Sequence, residues 1–124
     1  MCRIALLLAC LALASCGGSK TITGPLPDPN AGMYGTWDGT MSEVRNGQGI
    51  TWSNRVWFSK DAAAYYEAGV QYGCTVTSMA DPNVSFVVTV AGASVNFTAT
   101  RTGPTISGTY RYPNGSGGSW AATK

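Results

Sequence analysis

The chain has 124 residues, with eight basic and six acidic side chains, no histidine, and a formal net charge of +2. Charged residues make up 11% of it, against about 25% in an average protein, and nothing resembles the clustered lysines and arginines of a nucleic-acid surface. Without histidine, a serine or cysteine nucleophile lacks its usual base and a zinc site its commonest ligand, so neither a cofactor nor a metal is expected.

The N-terminus reads as an export signal. Arg3 precedes an apolar run from Ile4 to Leu13, far short of the roughly 20 apolar residues that span a bilayer. Leu13-Ala14-Ser15-Cys16 then resembles the lipobox of bacterial lipoprotein precursors, with a large aliphatic residue three before the cysteine and small residues between. Leu7-Leu8-Ala9-Cys10 is a poorer match, because the bulky Leu8 stands where a small residue belongs. The resemblance implies a signal peptide over residues 1–15 and a diacylglycerol (palmitate-type) anchor on Cys16. Because Gly17 rather than Asp follows, it also implies an address at the outer membrane. An ordinary secreted protein cut near Ser15 is the rival reading. The triplets Asn83-Val84-Ser85, Asn96-Phe97-Thr98 and Asn114-Gly115-Ser116 fit the N-glycosylation sequon, although Asn96 falls inside an expected strand.

Cys2 and Cys10 would leave with the signal and Cys16 would carry lipid. Cys74 then stands alone, without a partner for an intramolecular disulfide. It lies on the apolar side of its strand and is expected to be a buried, inert thiol. Residues 16–32 comprise the lipidated cysteine and a tether, flexible where Gly and Ser open it and stiffened by Pro25, Pro27 and Pro29.

From Met33 onward, apolar residues alternate with period two, predicting an all-β domain over 33–124. YGTWDGTMS puts Trp37 and Met41 on one face. ITWSNRVWF does the same for Ile50, Trp52, Val56 and Phe58, leaving Trp57 outward beside Arg55. VQYGCTVTS, VSFVVTV, ASVNFTATR, TISGTYRY and GSWAAT complete seven strands, the last carrying Trp120. Asn46-Gly47, Asp81-Pro82-Asn83, Ala91-Gly92 and Asn114-Gly115 mark turns between them. SKDAAAYYEAG is open to two readings. It could be a short helix near 60–68, capped by Ser59 or Asp61 and stopped by Gly69, or it could be an eighth strand; three consecutive alanines lean toward helix. A meander of seven or eight strands closes most simply into a small antiparallel barrel, which removes its free edges.

Gly35-Thr36-Trp37 and Ser107-Gly108-Thr109-Tyr110 resemble strand motifs of the calycin group, which includes lipocalins and avidins. The resemblance implies that Trp37 lies across the closed end of such a barrel.

Asp38, Glu43 and Glu67 are the only plausible acids for catalysis, and in one strand Asp38 and Glu43 would face opposite sides. An enzyme is not expected. Aromatic residues are the stronger signal. Trp37, Trp52, Tyr110 and Trp120 face inward, to fill the core or line a ligand site, together with Phe86 and Phe97. Trp57 and Tyr65 are candidates for an exposed interaction surface. Arg101 shares the inward parity of its strand; it either reaches solvent at the strand end or, if inside, anchors a ligand or pairs with a carboxylate. The expectation is a lipid-anchored envelope protein whose non-catalytic barrel binds a small apolar or amphipathic ligand. The alternative is a protein-interaction, inhibitor or structural module of the envelope.

Overall fold

The computed structural model describes residues 27–124. The expected signal peptide, Cys16 and most of the tether lie outside the described residues.

Eight strands follow a 3-10 turn at Ala31–Met33: β1 (Gly35–Arg45), β2 (Gln48–Phe58), β3 (Ala63–Glu67), β4 (Val70–Ala80), β5 (Asn83–Val90), β6 (Ala93–Thr102), β7 (Thr105–Arg111) and β8 (Gly117–Thr123). Each pairs antiparallel with its successor, and β8 pairs with β1, as in Trp120 opposite Met41, to close the barrel. The expected meander barrel is therefore present, with eight strands. Tight turns fix the register. Asn46-Gly47, Ala68-Gly69 and Ala91-Gly92 all have positive φ at both positions, the twist that two-residue hairpins require.

The stretch near 60–68 forms a strand, not a helix. Its residues alternate, with Ala63, Tyr65 and Glu67 opposite Phe58, Val56 and Val70 of the neighbouring strands. Alanine's helix preference is worth only tenths of a kcal/mol per residue, less than the pairing and the burial of Tyr65. Ser59 does cap, but it caps a turn: its Oγ accepts the Ala62 N–H at 3.1 Å. Gly69 ends a hairpin instead of a helix.

One end of the barrel, called here the closed end, is filled at its centre by side chains. Trp37, Met33, Phe58 and Ile106 are fully buried there, and Trp37 Nε1 donates to the Met33 carbonyl at 2.8 Å. Across the middle, Phe86 and Phe97 stack at 4.7 Å, and Trp120 sets its edge against both. Burying side chains of this size contributes about 1.5–3 kcal/mol each. Gly39 makes room for this layer, because a Cβ there would lie 2.5 Å from Asn54 Oδ1 and 2.6 Å from Trp120 Nε1.

Residues just before β1 attach to the closed end. Asn30 donates to the Met79 carbonyl at 3.2 Å and accepts the Asp81 N–H at 2.9 Å. It thereby fastens the segment before β1 to the part of β4 that the short β3 no longer pairs, where a side groove of about 490 Å³ remains between Ala63, Cys74 and Met79. Asp28 accepts the Tyr34 hydroxyl at 2.7 Å, which pushes that phenol up to about 12.

Candidate functional site at the barrel mouth

At the opposite end, where β1–β2, β3–β4, β5–β6 and β7–β8 turn, no segment comparable to the 3-10 turn lies over the interior among the described residues. A cavity of about 420 Å³ opens there, lined chiefly by Met41, Trp52, Val88, Val90, Val95 and Phe97. Alternation explains its apolar floor, and the strand ends supply its polar rim.

Two carboxylates stand on that rim. Glu43 shares the inward parity of Trp37 and Met41, and its side chain is only 6% exposed. It accepts the Tyr110 hydroxyl at 2.7 Å, the Tyr112 hydroxyl at 2.8 Å and Arg45 Nε at 2.5 Å. Burial alone would raise this carboxyl, but the three donors outweigh it and hold the group below its ordinary range. Tyr110 is in turn pushed up, by burial and by its bond to Glu43.

Glu67, also inward, receives Trp52 Nε1 and lies 3.2 Å from the Tyr65 hydroxyl, both at Oε2. A polar chain leads to it from the core. Trp120 Nε1 donates to Asn54 Oδ1 at 3.1 Å, and Asn54 Nδ2 donates to the Tyr65 hydroxyl at 3.3 Å. That hydroxyl is also 2.9 Å from Met41 Sδ. Trp52 meets Tyr110 edge-on at 6.3 Å, and the Arg45 guanidinium sits 5.4 Å from the Trp52 ring centre.

The structure brings Trp52 and Tyr110 together at the mouth and places Trp37 and Trp120 in the packed interior. Tyr65, expected as a possible surface aromatic, is instead buried, because β3 parity turns it inward. Trp57 is outward and 38% exposed. It lies in a shallow outer groove with Arg55, Tyr66 and Asp38, where Arg55 and Asp38 form an exposed ion pair at 2.6 Å. Asp38 and Glu43 do face opposite sides. Arg101 lies at the strand end and pairs with a carboxylate: its Nε and Nη2 donate to the two oxygens of Asp81, at 2.9 and 2.7 Å, at the closed end, and its Nη1 donates to the Gly103 carbonyl at 3.1 Å. Cys74 is half-buried, and burial pushes its thiol up to about 12, far from a reactive thiolate. Among the described residues no cluster of three or more potential ligands could hold a metal ion.

Sequence reasoning missed Asn54 and the roles of Glu43, Arg45 and Glu67. Parity could have found them, since residues 43 and 45 continue the Trp37–Met41 face and residue 54 sits between Trp52 and Val56. Polar residues on an inward face were the available signal.

No family model matches the sequence, and no curated protein matches it. Among solved structures, the chain is similar to a redesigned β-barrel. The TM-score is 0.60 and the identity 15%, over 77% of this chain and 94% of that one. At that identity the likeness shows the fold alone.

Proposed function

We propose that the protein is a lipid-anchored component of the bacterial cell envelope whose barrel holds a small apolar or amphipathic ligand at its mouth, without catalysing a reaction on it. The cavity carries this reading. An eight-stranded barrel can be filled by its own side chains or can hold one small molecule, and here about 420 Å³ remains, within the usual range for ligand pockets. The lining supports it too: an apolar floor with a few placed polar groups. A general acid needs a raised carboxyl, whereas Glu43 is held low, which favours binding over chemistry. The anchor rests on the lipobox resemblance at Cys16. The calycin-like reading draws support from Trp37, buried across the closed end beneath the 3-10 turn.

A second reading, as a partner-binding module, is favoured by the exposed Trp57 beside Tyr66 in the outer groove. Native mass spectrometry separates the two. Residues 17–124 contain the whole closed sheet with both edges paired, so this part can fold alone. Incubated with an extract of its own envelope and repurified gently, it should carry a small-molecule mass that Trp52→Ala removes and Trp57→Ala leaves. A bare monomer mass would favour the partner reading. Cys16→Ser should release the full protein from the membrane fraction; retention would rule out the lipid anchor.

A further inference from the structure

The rim of the mouth has an unequal charge balance. Glu43 and Glu67 face one guanidinium, Arg45, and that cation is already engaged: it binds Glu43, lies 3.5 Å from the Tyr112 hydroxyl and rests on Trp52. Glu67 has no cationic side chain within ion-pair distance among the described residues. Both of its donors, Trp52 Nε1 and the Tyr65 hydroxyl, meet Oε2, and Oε1 receives no donor from the described residues. The aromatic rings around it offer faces that attract cations, and Arg45 over Trp52 shows one of them in use.

We propose that the mouth selects molecules with an apolar body and a single positive end, an alkyl or aryl amine, whose ammonium group pairs with Glu67 while the body fills the floor between Met41, Val88, Val95 and Phe97. This rests on the mouth being the ligand site. Charge then sets the choice among ligands of equal shape. A carboxylate-bearing ligand would have to take Arg45 from Glu43, leaving a nearly buried carboxylate without its cation, an expensive exchange. A neutral ligand would leave Glu67 as it is.

The test uses the full-length protein in lipid nanodiscs and three probes with one carbon skeleton: 6-phenylhexylammonium, 6-phenylhexanol and the matching carboxylate. Calorimetric titration should rank them in that order, the ammonium at least about tenfold tighter than the alcohol, an advantage that shrinks as salt rises. Glu67→Gln should erase the advantage, so that the ammonium and the alcohol bind alike. Arg45→Ala, which frees the Trp52 face and removes the opposing charge, should increase it severalfold. Equal binding of ammonium and alcohol would overturn charge selection while the cavity reading stands. Tightest binding by the carboxylate would overturn it in favour of Arg45 as the anchor. If none of the three binds, the mouth is not the ligand site and both readings fall.

Discussion

The two ends of this barrel are built from the same alternating strands and finish differently. At the closed end, Met33 and the 3-10 turn lie over Trp37, and Lys124 reaches across to the carbonyls of Gly32 and Tyr34 at 3.0 and 2.5 Å. At the mouth, three two-residue turns and the 112–116 loop, which closes on itself through the Tyr112 and Ser116 backbones, bring the strands back, and nothing there corresponds to the 3-10 turn over Trp37. Apolar parity alone therefore does not decide whether an end is filled; a capping segment does. Where the cap is missing, the inward positions change from Trp, Phe and Ile to Glu, Arg and Tyr, which can live at a wet rim.

The largest expected contrast lies between two tryptophans. Trp37→Ala should cost about 3–5 kcal/mol of stability, as large cavities in packed cores do, and Trp52→Ala about 1–2 kcal/mol, because its ring is only partly buried. Urea unfolding of both variants measures this, and equal costs would show that the mouth is as tightly packed as the closed end. Only Trp52→Ala should also abolish ligand uptake.

Acid sharpens the comparison. Glu43 at the mouth and Asp81 at the closed end are both held below their ordinary values of 4.5 and 3.8. Each binds its proton less readily in the folded protein than in the unfolded chain. Their contribution is therefore complete above those ordinary values and is lost as pH falls through the lowered ones. Unfolding midpoints measured from pH 6 down to pH 2 should fall. Glu43→Gln should flatten that fall more than Asp81→Asn, since Glu43 loses three donors and Asp81 one guanidinium. The reverse order would locate the acid-sensitive end at Asp81–Arg101.

The smallest effect belongs to neither end. Arg55 and Asp38 are paired on the outer wall with side chains 58% and 61% exposed. Arg55→Ala should shift stability by less than about 1 kcal/mol, and a larger change would reveal the groove beside Trp57 as a structural feature.

Much of the wall was legible in the sequence because alternation is a local signal. Asn46-Gly47 and Ala91-Gly92 marked turns, and Phe86, Phe97 and Trp120 fell inward as parity requires. β3 was obscured because alanines have no β signature, and only pairing to β2 makes Ala63 and Ala64 part of a strand. The rim was harder to read for a different reason. Glu43, Arg45 and Glu67 carry the correct parity, but a charge facing inward makes sense only once its distant partners are known. Tyr110 and Tyr112 lie more than sixty residues from Glu43, and no local pattern announces that meeting. The cavity itself is a property of the closed sheet and of what fails to cover it.

The point where the chain joins the barrel also bears on access to the mouth. Asn30 and the 3-10 turn are fastened to the closed end, so the described chain enters the barrel opposite the mouth. Under the anchor proposed at Cys16, the barrel would be held by its base, and the attachment of the chain to the barrel would leave the opening unobstructed.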